Sequence, residues 1–136
     1  MAVAAPLITA LYAGLSGLWL LIVSLNVVRH RMRARVGIGD GGDAGLHQAI
    51  RVQANTTEYL PLALVILALC EMLGAPGFAI HGLGAALVIG RVLHAIGLSR
   101  STDRSFGRAA GMLLTWLPLL GASLLAVYLF VEGFRA

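Results

Sequence analysis

Uncharged residues run without interruption from Ala2 to Val28 and again from Ala109 to Val131. Each run is at least as long as the roughly 20 apolar residues that a helix needs to cross the hydrocarbon core of a bilayer, so both predict spanning helices. Between them lie two further apolar stretches, about 51–73 and 78–98, separated by Gly74-Ala75-Pro76-Gly77. That tetrapeptide stops a helix and makes a tight turn. Ionisable side chains interrupt both middle stretches: Arg51, Glu58 and Glu71 in the second, His81, Arg91 and His94 in the third. The pattern predicts an all-α integral membrane protein with one domain over residues 1–136. Its helices, at about 5–28, 48–73, 78–98 and 107–132, form an up-down-up-down bundle with long loops at about 29–47 and 99–106.

Composition agrees. Hydrophobic residues make up 59% of the chain and charged ones 12%, against about half and a quarter in soluble domains. This excludes a disordered chain or a collagen-like repeat, and the single Cys70 excludes a disulfide framework. The net charge of +4 comes with ten arginines and no lysine. Their placement argues for membrane topology rather than a nucleic-acid partner. Arg29, Arg31, Arg33 and Arg35 follow the first span, and Arg100, Arg104 and Arg108 follow the third, whereas the opposite side holds only Arg135. The positive-inside rule then places both loops in the cytoplasm and both termini outside. The first span is too long for a signal-peptide core and lacks a basic leader, so it reads as a retained helix.

The charges within the spans carry more information, because each costs roughly 2.5–3.5 kcal/mol at a helix centre on insertion scales. His47, Arg51, Asn55 and Glu58 share one face of the second helix, with Tyr59 at its edge, and Arg91 and His94 share a face of the third. Antiparallel helices bring residues 51–59 and 91–98 to similar depth, so the two stripes predict one site. A buried ion-pair network is one reading of it. A polar ligand with carboxylates and an amino group is the other: arginines clamp carboxylates, Glu58 meets the amine, and Asn55 both donates and accepts. The four histidines show no metal-ligand spacing, so no metal is expected. Five glycines between Gly37 and Gly45 lack the following Lys-Ser/Thr of a phosphate loop and read as a flexible connector.

The run Arg51-Val52-Gln53-Ala54-Asn55-Thr56-Thr57-Glu58-Tyr59-Leu60-Pro61-Leu62 resembles the R-x-x-x-N-x-x-E-Y-x-P-L signature of the MAPEG family, the membrane-associated proteins in eicosanoid and glutathione metabolism. Gly90-Arg91-Val92-Leu93-His94 is similar to that family's third-helix motif, notably in its prostaglandin E synthase branch. The resemblance covers nearly the whole chain and implies a bacterial-type, multi-pass inner-membrane protein assembled as a homotrimer. Glutathione would be the co-substrate, bound between subunits near the cytoplasmic face by Arg51, Asn55, Glu58, Tyr59, Arg91 and His94, with Arg31 as a looser match. Arg104-Ser105 resembles the Arg-Ser pair at the start of the family's fourth helix, where the arginine stabilises the thiolate; Arg108 and then Arg100 are its rivals. Leu98 stands where family enzymes commonly place a tyrosine.

These matches imply a glutathione transferase-like protein that conjugates the thiol to a lipophilic electrophile or uses it to reduce a lipid hydroperoxide, its apolar partner arriving from the membrane lipids. The alternatives are a non-catalytic glutathione- or lipid-binding membrane protein and a small multidrug transporter. The first span lacks the acidic residue such transporters carry.

Overall fold

The computed structural model describes residues 5–100 and 106–135, with Arg100 as backbone only. They form four helices, α1 (Leu7–Ala34), α2 (Ala44–Met72), α3 (Gly77–Arg100) and α4 (Phe106–Arg135), all long and apolar enough to cross a membrane. Successive helices run antiparallel. α2 and α3 lie on the inner diagonal and touch each other, while α1 and α4 each pack on both of them and not on one another.

Helix ends follow local chemistry. α1 runs past its expected end near 28, so Arg29, Arg31 and Arg33 lie on the helix rather than in the loop. Arginine and methionine are good helix formers, and cations in a last turn offset the negative end of the helix dipole. The helix stops at Arg35, which adopts φ 55° and donates its N–H to the Arg31 carbonyl. α2 starts four residues before the expected position because the Asp43 side chain caps it, accepting from Leu46 N at 2.7 Å. Pro61 and Pro118 sit inside unbroken helices.

At the other end α1 has no cap of its own, since Pro6 offers no side-chain acceptor. Glu71 takes that place from α2. Its carboxylate accepts from Ile8 N (2.8 Å), Thr9 N (2.7 Å) and Thr9 Oγ1 (2.7 Å), binding the exposed donors of the first turn. Glu71, one of the ionisable residues that interrupt the second apolar stretch, is thus captured by the free amides at the start of α1. Nearby, Tyr12 Oη and His81 Nδ1 share a 2.9 Å hydrogen bond.

The core is stacked along the bundle. Leu67, Cys70, Ile80 and Ala122 pack at the tight-turn end, then Leu60, Ala63 and Leu87, then Val52 and Ala95 with Val23, and finally Leu46 and Ala49 with Val27. Glycine sets the closest approaches. A Cβ at Gly90 would lie 2.8 Å from the Leu114 carbonyl carbon, and one at Gly111 would lie 2.6 Å from His94 Cα, so α3 and α4 meet backbone to backbone. Gly14 and Gly17 on α1, by contrast, have open space around them and face away from the other helices. Large apolar side chains cover the outside, among them Leu18, Leu62, Val65, Leu117, Leu120 and Leu124, each more than half exposed. Such a surface suits lipid or another apolar protein surface.

Candidate functional site

Arg91 is the organising residue. It lies deep in α3 and is only 2% exposed, the largest of the fully buried side chains. A guanidinium there requires acceptors. Asn55 on α2 supplies two, its side-chain oxygen at 2.5 Å and its carbonyl at 3.2 Å from Arg91 Nη1. α4 supplies the Gly111 carbonyl and Met112 Sδ, both 3.4 Å from Nη2. The Tyr59 ring faces the guanidinium, its centroid 5.3 Å from Cζ. One side chain thus ties three helices together. Its Nε has no partner among the described residues, and no carboxylate there lies within ion-pair distance of it.

Toward the outer face of α2 the charge continues. Arg51 Nη2 stands 3.7 Å from Glu58 Oε1, each side chain about half exposed, and Asn55 Nδ2 reaches Glu58 Oε2 at 3.5 Å. These contacts are long, so the pair leaves most of its hydrogen-bonding capacity open. The structure brings Arg51, Asn55, Glu58, Tyr59 and Arg91 together, while His47, of the same predicted stripe, pairs with Asp40 in the first loop. His94, one turn along α3 from Arg91, is buried against Gly111.

Above this stripe a cavity of about 490 Å³ opens between the first loop and the neighbouring ends of α2, α3 and α4. Arg51 and Arg108 bring positive charge to its wall and Asp40 and Asp43 bring negative charge, with His47 and Gln48 between them. Leu98 lines it as well, and the Gln48 amide donates to the Leu98 carbonyl. Mixed charge of this kind matches a ligand carrying both carboxylates and an amine.

The first loop is an organised wall of the cavity, which corrects the flexible-connector reading. Arg31 Nη1 donates to the carbonyls of Gly39 (2.8 Å) and Gly37 (3.3 Å), so this arginine is engaged with the loop rather than turned to Arg51. Asp40 accepts from Gly42 N at 3.0 Å and pairs with His47 Nδ1 at 2.6 Å. Both contacts favour the carboxylate and hold the Asp40 pKa below its ordinary value, the Gly42 amide most strongly. Asp40 and Gln48 were not assigned to the site from the sequence, since acids among glycines and glutamines in a helix carry no motif. Among the rival arginines, Arg108 lies on the cavity wall. Arg104 and Ser105 lie outside the described residues, as does the side chain of Arg100. No group of three metal-ligating side chains occurs among the described residues.

Four apolar helices enclosing a buried arginine, with a mixed-charge cavity at one end of the bundle, define a helical membrane protein with a polar cavity. Comparison with known proteins makes this specific. The MAPEG family model matches residues 9–128. The chain is 43% identical over 114 residues to the inner membrane protein YecN of Escherichia coli K12, covering 84% of this chain and 86% of that one. It is 33% identical over 119 residues to the uncharacterized protein sll1147 of Synechocystis sp., covering 85% of each. The chain belongs to the MAPEG family.

Proposed function

We propose that this protein binds glutathione through Arg51, Asn55, Glu58, Tyr59, Arg91 and His94 and activates its thiol for reaction with a lipophilic electrophile or lipid hydroperoxide. One observation carries the reading: a half-exposed Arg51–Glu58 pair lies over a buried Arg91 that has no carboxylate within ion-pair distance among the described residues. A structural ion-pair network would close on itself. This one leaves a cation and an open pair, which a zwitterionic peptide completes: its carboxylates meet the arginines and its amine meets Glu58. Family membership supports a glutathione transferase-like role, with glutathione as co-substrate.

Charge at this depth cannot face hydrocarbon, so the open side of Arg51 and Glu58 calls for cover. A homotrimer in which a neighbouring subunit closes the site supplies it. In the same reading the protein sits in the inner membrane with both loops in the cytoplasm, glutathione enters from the loop side, and the second substrate arrives through the bilayer. A cation at the thiol lowers its pKa, and only the thiolate is a good nucleophile. Arg104 with Ser105 is the pair the family resemblance assigns to that role. Arg108 is the arginine whose position on the cavity wall favours it.

Calorimetric titration of the purified protein with glutathione tests the reading. Saturable binding is expected, with Arg51→Ala and Glu58→Ala each weakening it at least tenfold, and turnover of an aromatic halide with the native protein. Binding without turnover would point to a non-catalytic thiol-binding protein, for which Leu98 in place of tyrosine is the motive. Absence of binding overturns the proposal.

A further inference from the structure

On the opposite side of the bundle from the charged stripe, α1 and α3 leave a groove of about 350 Å³ over the α2 residue Val52. Its two ends differ. Along α1 the lining passes from Trp19 and Ile22 to Asn26 and Arg29, and α3 adds Ile96 and Ser99 toward the loop end. Arg29 is the first charged side chain after the 27 uncharged residues from Ala2 to Val28, so it marks where α1 leaves the hydrocarbon. It is exposed and has no carboxylate within ion-pair distance among the described residues.

The dimensions fit one ligand class. Trp19 and Arg29 are ten residues apart on one helix, or about 15 Å at a rise of 1.5 Å per residue. That is half of the roughly 30 Å hydrocarbon core, the depth of a single leaflet. The groove therefore begins at headgroup level beside an exposed guanidinium and ends near the bilayer midplane on an indole. We propose that the α1–α3 groove is a binding site for a phospholipid with an anionic headgroup. One acyl chain lies along Trp19, Ile22 and Ile96, and the phosphate accepts hydrogen bonds from Arg29, Asn26 and Ser99. This site does not depend on the thiol chemistry assigned above.

The chain has only two tryptophans, and Trp116→Phe leaves Trp19 as the sole reporter. The full chain bearing that change is reconstituted in mixed phosphatidylglycerol and phosphatidylcholine vesicles, with bromine on the acyl chains of one lipid or the other. Preferential quenching of Trp19 by brominated phosphatidylglycerol is expected, by about 5-fold in relative association. This corresponds to the ~1 kcal/mol that one cation contributes at an anionic surface. Arg29→Gln removes the preference, Arg29→Lys keeps most of it, and Arg33→Gln, which changes a cation outside the groove lining, leaves it intact. Three results each overturn the proposal: equal quenching by the two lipids, a preference that survives Arg29→Gln, or no quenching by either. The last outcome would mean that another protein surface, such as a second copy of the chain, covers the groove.

Discussion

Arg91 shows how one side chain can be both a cost and a reason for a fold. Placing a guanidinium at membrane depth costs a few kcal/mol. Each charge-assisted hydrogen bond it makes returns roughly 1.5–3 kcal/mol, and the structure gives Arg91 contacts on two other helices. A lysine at this position would carry the charge but lose the planar fork that spans Asn55 and Gly111. Arg91→Lys is expected to weaken glutathione binding roughly tenfold, equivalent to about 1.4 kcal/mol, while the helical circular dichroism stays unchanged. Asp40 offers a second residue-scale test. Its folded pKa is lowered by the Gly42 amide and by His47. The stabilisation carried by the ionised Asp40 carboxylate is therefore present above the ordinary aspartate value, and disappears as pH falls through the lower folded one. Carboxyl NMR titration should place the Asp40 midpoint below that of an aspartate in an unstructured peptide, and His47→Ala should raise it.

At the scale of elements, the helices were legible and their contacts were not. Unbroken apolar runs predicted α1 and α4, and Gly74 to Gly77 predicted the turn between α2 and α3. The end of α1 was hidden because positive charge was read as loop, although arginine suits a helix C-terminus well. The role of Glu71 was hidden for a related reason: an acid at the end of one helix gives no hint that it will cap another 62 residues away. Its loss can be measured. Glu71→Ala leaves the first amides of α1 without acceptors and should destabilise the protein by about 1–2 kcal/mol, seen as a lower Tm in detergent, with Glu71→Gln intermediate. Gly14 and Gly17 on α1 face outward, whereas Gly90 and Gly111 fix the α3–α4 contact, and nothing in the spacing tells the two sets apart. Sequence spacing shows that a face is small, but not what it meets. Gly111→Ala is expected to cost about 1–3 kcal/mol through overpacking against the His94 backbone, and to lower glutathione affinity because Arg91 Nη2 also contacts Gly111.

The whole molecule divides its polarity by depth and by side. The Glu71–Thr9 and Tyr12–His81 contacts close the tight-turn end, while the loop end opens into the mixed-charge cavity. The stripe itself was readable because Arg51, Asn55 and Glu58 follow a helical period and Arg91 repeats the charge at matching depth. The cavity was not, because Asp40, Leu98 and Arg108 come from three separate segments that only the tertiary fold unites. Exposed Arg51 and Glu58 beside exposed Leu62 make a lone chain in lipid physically awkward, which is why the account joins the site to subunit assembly.

The proposed function requires this arrangement to ionise a bound thiol. The most direct measurement is the ultraviolet difference spectrum on mixing glutathione with the purified protein in detergent near neutral pH. The account predicts a thiolate absorbance band that saturates with glutathione, is abolished by Arg51→Ala, and is absent when the S-methylated peptide is used. A flat difference spectrum at glutathione concentrations that saturate binding would contradict it.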